Sequence, residues 1–341
     1  MWFAFFLILA LGVSAFFNLA MVGAMFSSGG GGKLGAANDN LQEVVLEEGA
    51  SSDKIAVIAV EGMISSYSYD GTGKSMVDYV ESMLERATSD ASVKAVLLQV
   101  DSPGGEVLAS DDIYKLIKEF QRDSGKPVVC VMEGMAASGG YYVSAPCRWI
   151  VANELTMTGS IGVIMQGFNF RGLMDKVGVE PLTFKSGRMK DMLSSTKRPG
   201  EITGEERKII QDFIDETFGR FKSIVQEGRS AAAKKNGEEG RGLIEKWEDY
   251  ADGRLLSGKQ AFEHGFIDEL GDFDDAVSRT EKIAGTSGAT LVAYRKLINF
   301  GNFFRLLGEG GGETTVKVDL GIEMPQLHVG RAYFLPAGMT Y

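Results

Sequence analysis

The sequence predicts an α/β fold with a largely parallel sheet, and three observations carry that expectation. Short β-branched runs alternate with stretches whose apolar residues recur at helical spacing. The runs are apolar almost throughout, as strands covered on both faces are. Turns bearing glycine and proline punctuate them.

Ahead of this pattern lies a different kind of segment. Residues 1–32 carry no charged side chain, and from Trp2 to Phe26 nearly every residue is apolar. About 20 apolar residues in a helix cross a bilayer core. A cleaved signal peptide has an apolar core of about 7–15 residues behind a basic n-region, and here only Met1 precedes Trp2. Residues 1–28 therefore read as an uncleaved transmembrane signal anchor. Residues 29–32 are all glycine, and 29–53 read as a linker. Lys33, the first basic residue, weakly favours a cytoplasmic body by the positive-inside rule.

The alternating pattern begins at Lys54. Residues 55–60 read as a strand, and Met76, Val77, Val80, Met83, Leu84 and Ala87 mark one face of a helix. Residues 93–100 form the next expected strand, 113–120 lie in a helix, and 127–132 form a third strand. Further strands are expected at 149–152, 161–165, 180–184 and 290–294. Thr203 and Glu206 make a capping box for a long helix. Its stripe Ile210, Phe213, Ile214, Phe218, Phe221, Val225 reads as a core face, or in an oligomer as a face toward a neighbour. Residues 230–248 are charged and alanine-rich with no clear period, and one more helix follows Leu270. The peptidase-like body is expected to end near 296, leaving a loosely packed tail at 297–341.

Composition narrows the function classes. Net charge is −11 and no Lys/Arg block stands out, which argues against a nucleic-acid partner. Cys130 and Cys147 are the two cysteines, without metal-ligand spacing, and read as buried free thiols. Gly73-Lys74-Ser75 imitates the end of a phosphate loop. The glycine required five residues before Gly73 is Ser68, so a nucleotide site is not expected there.

Gly134-Met-Ala-Ala-Ser138-Gly-Gly-Tyr-Tyr142 is where chemistry is expected. A serine among small residues at a strand-to-helix turn is how a protein presents an activated hydroxyl. The alanines and glycines allow the sharp turn and the close approach of a substrate carbonyl. The helix that follows would aim free N–H groups at that carbonyl. Asp101-Ser-Pro-Gly-Gly105 closes the strand before it, and could be an ordinary turn. One βαβ unit apart, the two turns suggest an oxyanion hole from the N–H groups of Gly105 and Gly139. A base is also needed. The histidines are His264 and His328, neither within the 125 residues after Ser138. A buried lysine can serve, because desolvation lowers its pKa by roughly 3–5 units. The stretch 184–191 offers Lys185 and Lys190, between which spacing does not choose.

These motifs are joined by Thr158-Gly-Ser160-Ile-Gly-Val163, Ser186-Gly-x-x-Lys190-Asp191, Gly253-Arg-x-x-Ser-Gly-x-Gln260-Ala261 and Gly265-x-x-Asp268-x-x-Gly271. In this order they resemble the signal peptide peptidase SppA family, over roughly residues 54–295. The resemblance implies a Clp/crotonase-like fold of repeated ββα/βαβ units and a Ser–Lys dyad without metal or organic cofactor. By motif, Ser138 matches the nucleophile, Lys190 the general base and Ser160 the serine that hydrogen-bonds the lysine. Gly105 and Gly139 match the oxyanion donors. The chain resembles the short form, a homo-oligomeric ring whose sites are shared between subunits. It also implies an extracytoplasmic body on a single-pass anchor in the cell membrane, against the Lys33 cue. The substrates implied are apolar peptides, signal-peptide remnants above all. The rivals are a membrane Ser–Lys protease dedicated to one membrane protein, a catalytically silent ring scaffold, and a crotonase-type acyl-CoA enzyme.

Overall fold

The computed structural model describes residues 41–68, 73–296 and 333–334. The chain divides into two units, Met1–Asn40 and Leu41–Tyr341. The expected anchor at 1–28 and the first part of the expected linker lie outside the described residues, as does the expected tail apart from Tyr333 and Phe334. No described helix is long and apolar enough to cross a membrane.

The second unit is built on one sheet. Its strands are β1 (Leu41–Glu47), β2 (Lys54–Ile64), β3 (Val93–Glu106), β4 (Val128–Ala137), β5 (Trp149–Ala152), β6 (Met157–Gly159), β7 (Leu255–Ser257), β8 (Glu269–Leu270), β9 (Thr290–Lys296) and β10 (Tyr333–Phe334). The main order is β1-β9-β2-β3-β4-β5-β8, parallel throughout except for the antiparallel β1–β9 pair. The helices are α1 (Met76–Ser89), α2 (Val107–Ser124), α3 (Gly139–Ser144), α4 (Arg171–Val177), α5 (Gly204–Asn236), α6 (Gly258–Glu263) and α7 (Phe273–Ala284).

The apolar runs become strands because both faces of the sheet are covered. Ile58, Leu98 and Cys130 point to one side, into a core shared with Leu84 of α1 and Ile113 of α2. Ile55, Leu97 and Val129 point to the other, against Ala276 of α7. A strand buried on both faces shows no polar alternation. The strand β4 changes partners along its length. Residues 129–132 pair with β5, and 135–137 pair with β6. That change carries the chain out of the central sheet just before Ser138.

Behind α3, a fully buried ion pair links Arg229 of α5 to Asp268 at 2.5 Å. The other Asp268 oxygen accepts the Ile150 N–H, and the Tyr141 hydroxyl donates to the Phe266 carbonyl at 2.8 Å. Removing one partner of such a pair typically costs about 3–5 kcal/mol. These contacts hold α3, and with it the turn at Ser138, against β5 and α5.

Several expectations are corrected. Leu41–Glu47, expected as linker, is a strand: Leu41 is buried, Glu43 reaches Lys54 at 2.7 Å, and β9 supplies the backbone partners. Residues 161–165 and 180–184 are not strands. The first makes only an isolated bridge from Ile164 to Tyr333. In the second, Leu182 and Phe184 are 82% and 87% exposed, and among the described residues no neighbouring strand takes up the backbone hydrogen bonds. The long helix is present as α5, with the Thr203–Glu206 capping box formed. Its stripe is a core face only in the second half, where Phe221 and Val225 are buried, while Phe213 is exposed. The tail is not wholly loose, since Tyr333 is buried and paired. Ser75 of the false phosphate loop caps α1 by accepting the Asp78 N–H. Both cysteines are buried and unbridged. His264 ends α6 and stacks on Tyr250 with ring centroids 3.7 Å apart.

Candidate active site

Ser138 lies between β4 and α3 in a conformation that side chains seldom adopt, φ 54° and ψ −112°. Its backbone is held on both sides: the N–H donates to the Gly159 carbonyl at 2.8 Å, and the carbonyl accepts the Tyr142 N–H at 2.9 Å. The side chain is fully buried, and its Oγ has no hydrogen-bond partner among the described residues. Such a backbone conformation costs about 1–3 kcal/mol, and an unsatisfied buried hydroxyl about as much again. Strained residues of this kind cluster at functional sites. The arrangement is that of a hydroxyl held ready for another group.

The small residues around Ser138 have a steric cause. A Cβ on Gly139 would stand 2.7 Å from the Ser110 Oγ and 3.0 Å from the Gly105 nitrogen. The two glycines named from the sequence are thus brought side by side, on two different turns. A Cβ on Gly105 would lie 1.9 Å from the Ile64 carbonyl oxygen, so only glycine fits there. Gly104 takes φ 106°, open to glycine alone, and its N–H donates to the Ser102 Oγ at 3.1 Å. The Ser102 hydroxyl in turn donates to the Gly62 carbonyl at 2.6 Å. Across the gap, the Asp101 carboxylate accepts the Met135 N–H at 3.0 Å, which fastens one turn to the other.

Ser160 follows from register. Ala137 pairs with Gly159, so the next residue on each strand is a serine, Ser138 on one and Ser160 on the other. Ser160 is also buried, at φ 50°, and its N–H donates to the Arg254 carbonyl at 2.7 Å. Arg254 belongs to the Gly253-Arg motif, which thereby gains a purpose: its carbonyl holds the Ser160 turn.

Lys190 is not brought to this cluster. It sits in an exposed turn, its N–H bonded to the Gly187 carbonyl, and its ammonium has no partner among the described residues. The other lysines nearby are engaged. Lys185 pairs with Asp191 at 2.8 Å and holds that carboxyl below its ordinary range. Lys197 pairs with Glu206 at 2.6 Å, which raises the lysine and lowers the carboxyl. Within ten residues of Lys190 in sequence the chain exposes Leu182, Phe184 and Leu193, and in the preceding segment Phe168, Phe170 and Leu173.

Two features were not foreseen from the sequence. Tyr142, one turn after Ser138, donates its hydroxyl to Asp111 at 2.7 Å, and Arg220 of α5 reaches the same oxygen. Burial opposes charge on Asp111, but hydrogen bonds from Lys115, Tyr142 and Arg220 outweigh it and hold the carboxyl below its ordinary range. No local pattern marks residues 109 apart in sequence as partners. The second feature is β10, which pairs with β3 at Gly105 and Glu106. No group of three or more His, Cys, Asp or Glu side chains able to hold a metal occurs among the described residues.

Comparison with known proteins places these residues in a lineage. The family model for peptidase family S49 matches residues 120–287, and that for Clp protease matches 60–149. A candidate signal peptide peptidase SppA of Enterococcus faecium is 36% identical over 271 residues, covering 77% of this chain and 73% of that protein. The chain belongs to peptidase family S49. A candidate protease of Methanocaldococcus jannaschii is 38% identical over 72% of this chain and 74% of its own length. Protease 4 of Haemophilus influenzae is 33% identical over 79% of this chain, but the match spans 42% of that longer protein. The S49 chain is a serine peptidase with a mixed α/β, Clp-like fold.

Proposed function

We propose that this S49 peptidase is a membrane-anchored Ser–Lys endopeptidase that cleaves apolar peptide segments, signal-peptide remnants above all, at the cell membrane. Residues 1–28 would anchor it, with the body on the extracytoplasmic side, where the anchor concentrates the enzyme beside such substrates. The observation that carries the chemistry is the buried, strained and unpartnered Ser138 hydroxyl beside Gly105 and Gly139.

In this reading Ser138 Oγ attacks the scissile carbonyl while Lys190 Nζ, arriving neutral, takes the hydroxyl proton. The N–H groups of Gly105 and Gly139 stabilise the resulting oxyanion. Lys190 then returns the proton to the leaving amine, which departs and leaves an acyl ester on Ser138. Water, deprotonated by the same lysine, releases the acyl group and restores the serine. Ser160 orients the lysine. No metal or organic cofactor is needed for these steps.

The lysine is supplied by a neighbouring subunit of a homo-oligomeric ring. Support comes from the exposure of Lys190, the absence of any partner for Ser138 Oγ within the described residues, and the exposed apolar side chains that flank the lysine. Burying such side chains gains roughly 25 cal/mol per Å², so a second copy is the natural cover. The test is to treat the detergent-solubilised chain with a fluorophosphonate probe and map the adduct by mass spectrometry. Modification of Ser138 is expected. Modification elsewhere, with Ser138 intact in active protein, would overturn the assignment.

A further inference from the structure

We propose that Asp111 is a positioning residue of the peptidase: by accepting the Tyr142 hydroxyl it holds the helix that begins at Ser138 against the helix that begins beside Gly105. This rests on the reading of Ser138, Gly105 and Gly139 given above. Asp111 stands one turn into α2, which starts two residues after Gly105, and Tyr142 stands one turn after Ser138 in α3. The Tyr142 N–H donates to the Ser138 carbonyl at 2.9 Å, so the phenol and the nucleophile belong to the same turn. The phenol donates to Asp111 Oδ1 at 2.7 Å, between two buried residues. Helix α3 has six residues, too few to stand alone, so its place is set by what its side chains reach. Tyr141 reaches the Phe266 carbonyl and Tyr142 reaches Asp111; only the second bond goes to the element that continues from Gly105. One residue earlier on α2, the Ser110 Oγ stands 2.7 Å from where a Cβ on Gly139 would lie. The two helices thus touch at Ser110, and Asp111 locks that contact with a directed bond. The Asp101–Met135 bond fastens the same two turns on their other side.

A carboxylate suits this place for a physical reason. A hydrogen bond to an ionised acceptor is roughly twice as strong as one between neutral groups, but a buried charge is costly unless it is paired. Arg220 of α5 donates through Nε to the same Oδ1 at 2.9 Å, and Lys115 meets Oδ2 at 2.8 Å. Burial opposes the charge on Asp111, yet the bonds from Lys115, Tyr142 and Arg220 prevail, and the group stays an ionised acceptor at neutral pH. Burial first, and then the carboxylate, push the Tyr142 phenol well above its ordinary range, so it stays a donor. The Tyr142 ring packs on Tyr114 and Phe221, with centroids 5.7 and 4.9 Å away, contacts that do not depend on the hydroxyl. An oxyanion donor must lie about 2.7–3.1 Å from the oxygen it serves, and a misplacement of about 1 Å costs on the order of 10²-fold in rate. The bond is therefore assigned to the rate rather than to the packing.

The experiment removes the bond from either end of the full chain in detergent and measures well below each variant's Tm. Tyr142→Phe takes away the hydroxyl and keeps the ring. Its kcat on a reporter peptide is expected to fall about 10- to 10²-fold with KM within about twofold of wild type, and fluorophosphonate labelling of Ser138 should slow by a similar factor. Asp111→Leu should match it, whereas Asp111→Asn, which keeps an oxygen for the hydroxyl, should recover most of the loss. The double variant Asp111→Leu/Tyr142→Phe should be no slower than either single one, because both remove the same bond. A lowered Tm with wild-type kcat, a change in KM alone, or losses that multiply in the double variant would overturn the proposal and leave the bond as packing. Should Asp111→Leu not fold, Tyr142→Phe decides alone. Failure of the Ser138 reading looks different: the adduct on the wild-type chain then falls on another residue. Failure of the proposal leaves the adduct on Ser138, formed at the wild-type rate in Tyr142→Phe.

Discussion

Ser138 and Lys190 stand in opposite surroundings. The serine is fully buried, and its backbone is bonded on one side to Gly159 of β6 and on the other to Tyr142 of α3. The lysine lies on an exposed turn, with the exposed apolar residues Leu182, Phe184 and Leu193 close to it in sequence. A folded chain tolerates strain at Ser138 because the surrounding core over-determines it. Nothing comparable determines the place of Lys190. One half of the proposed dyad is built by folding, and in the proposed ring the other is left to assembly.

The sharpest way to break this comparison is to remove each half. Ser138→Ala is expected to lower kcat/KM by about 10⁴-fold or more with circular dichroism unchanged, since members of a catalytic unit are each indispensable. Lys190→Ala should match it, while Lys185→Ala, whose ammonium serves Asp191, keeps most activity. Appreciable turnover by purified Ser138→Ala protein, or inactivity of the Lys185 variant alone, refutes the pairing.

Assembly is tested by mixing. Rings co-expressed from Ser138→Ala and Lys190→Ala chains should recover a part of wild-type activity, because some interfaces join an intact serine to an intact lysine. Mixed rings that form by native mass and remain inactive would return the lysine to the serine's own chain.

A smaller effect is expected on the serine side alone. Gly139→Ala places a methyl 2.7 Å from the Ser110 Oγ and beside the Gly105 nitrogen, disturbing the proposed donors. A loss of about 10²–10³ in kcat follows if one oxyanion donor is displaced. Wild-type kcat in that variant would remove the glycine pair from the mechanism.

The smallest effect lies far from both residues and serves as a control. Hydrogen bonds from Ser92 and Lys54 hold Asp90 down at about 2. Its folded pKa is below its unfolded value, so its contribution is complete above about pH 4 and is lost as pH falls toward 2. Asp90→Asn should lower Tm modestly at neutral pH and by clearly less at pH 2, with kcat/KM unaffected at neutral pH. A Tm deficit equal at both pH values would contradict the linkage.

The strands at 93–100 and 127–132 were legible because a continuous apolar run can satisfy itself only when buried on both faces. The Ser138 turn was legible because small residues there are a local steric demand. Strand β1 was hidden by its acidic residues, whose charges are met by Lys54 and by solvent. The stretches at 161–165 and 180–184 were misread for the converse reason. An apolar stretch looks the same whether it faces a sheet, another subunit or solvent.

The sequence alone determined the class of fold, the S49 motifs and their order, and the residues among which the chemistry must lie. These are properties of contiguous chain, set by side-chain volume, backbone freedom and hydrophobic period. Only the tertiary structure decided that Gly105 and Gly139 meet, that Asp111 joins Tyr142 to Arg220, that the first half of the α5 stripe is incompletely buried and that β10 closes on Gly105. Each of those depends on which backbone edge or apolar face is left open once distant segments have packed, and no local pattern encodes that.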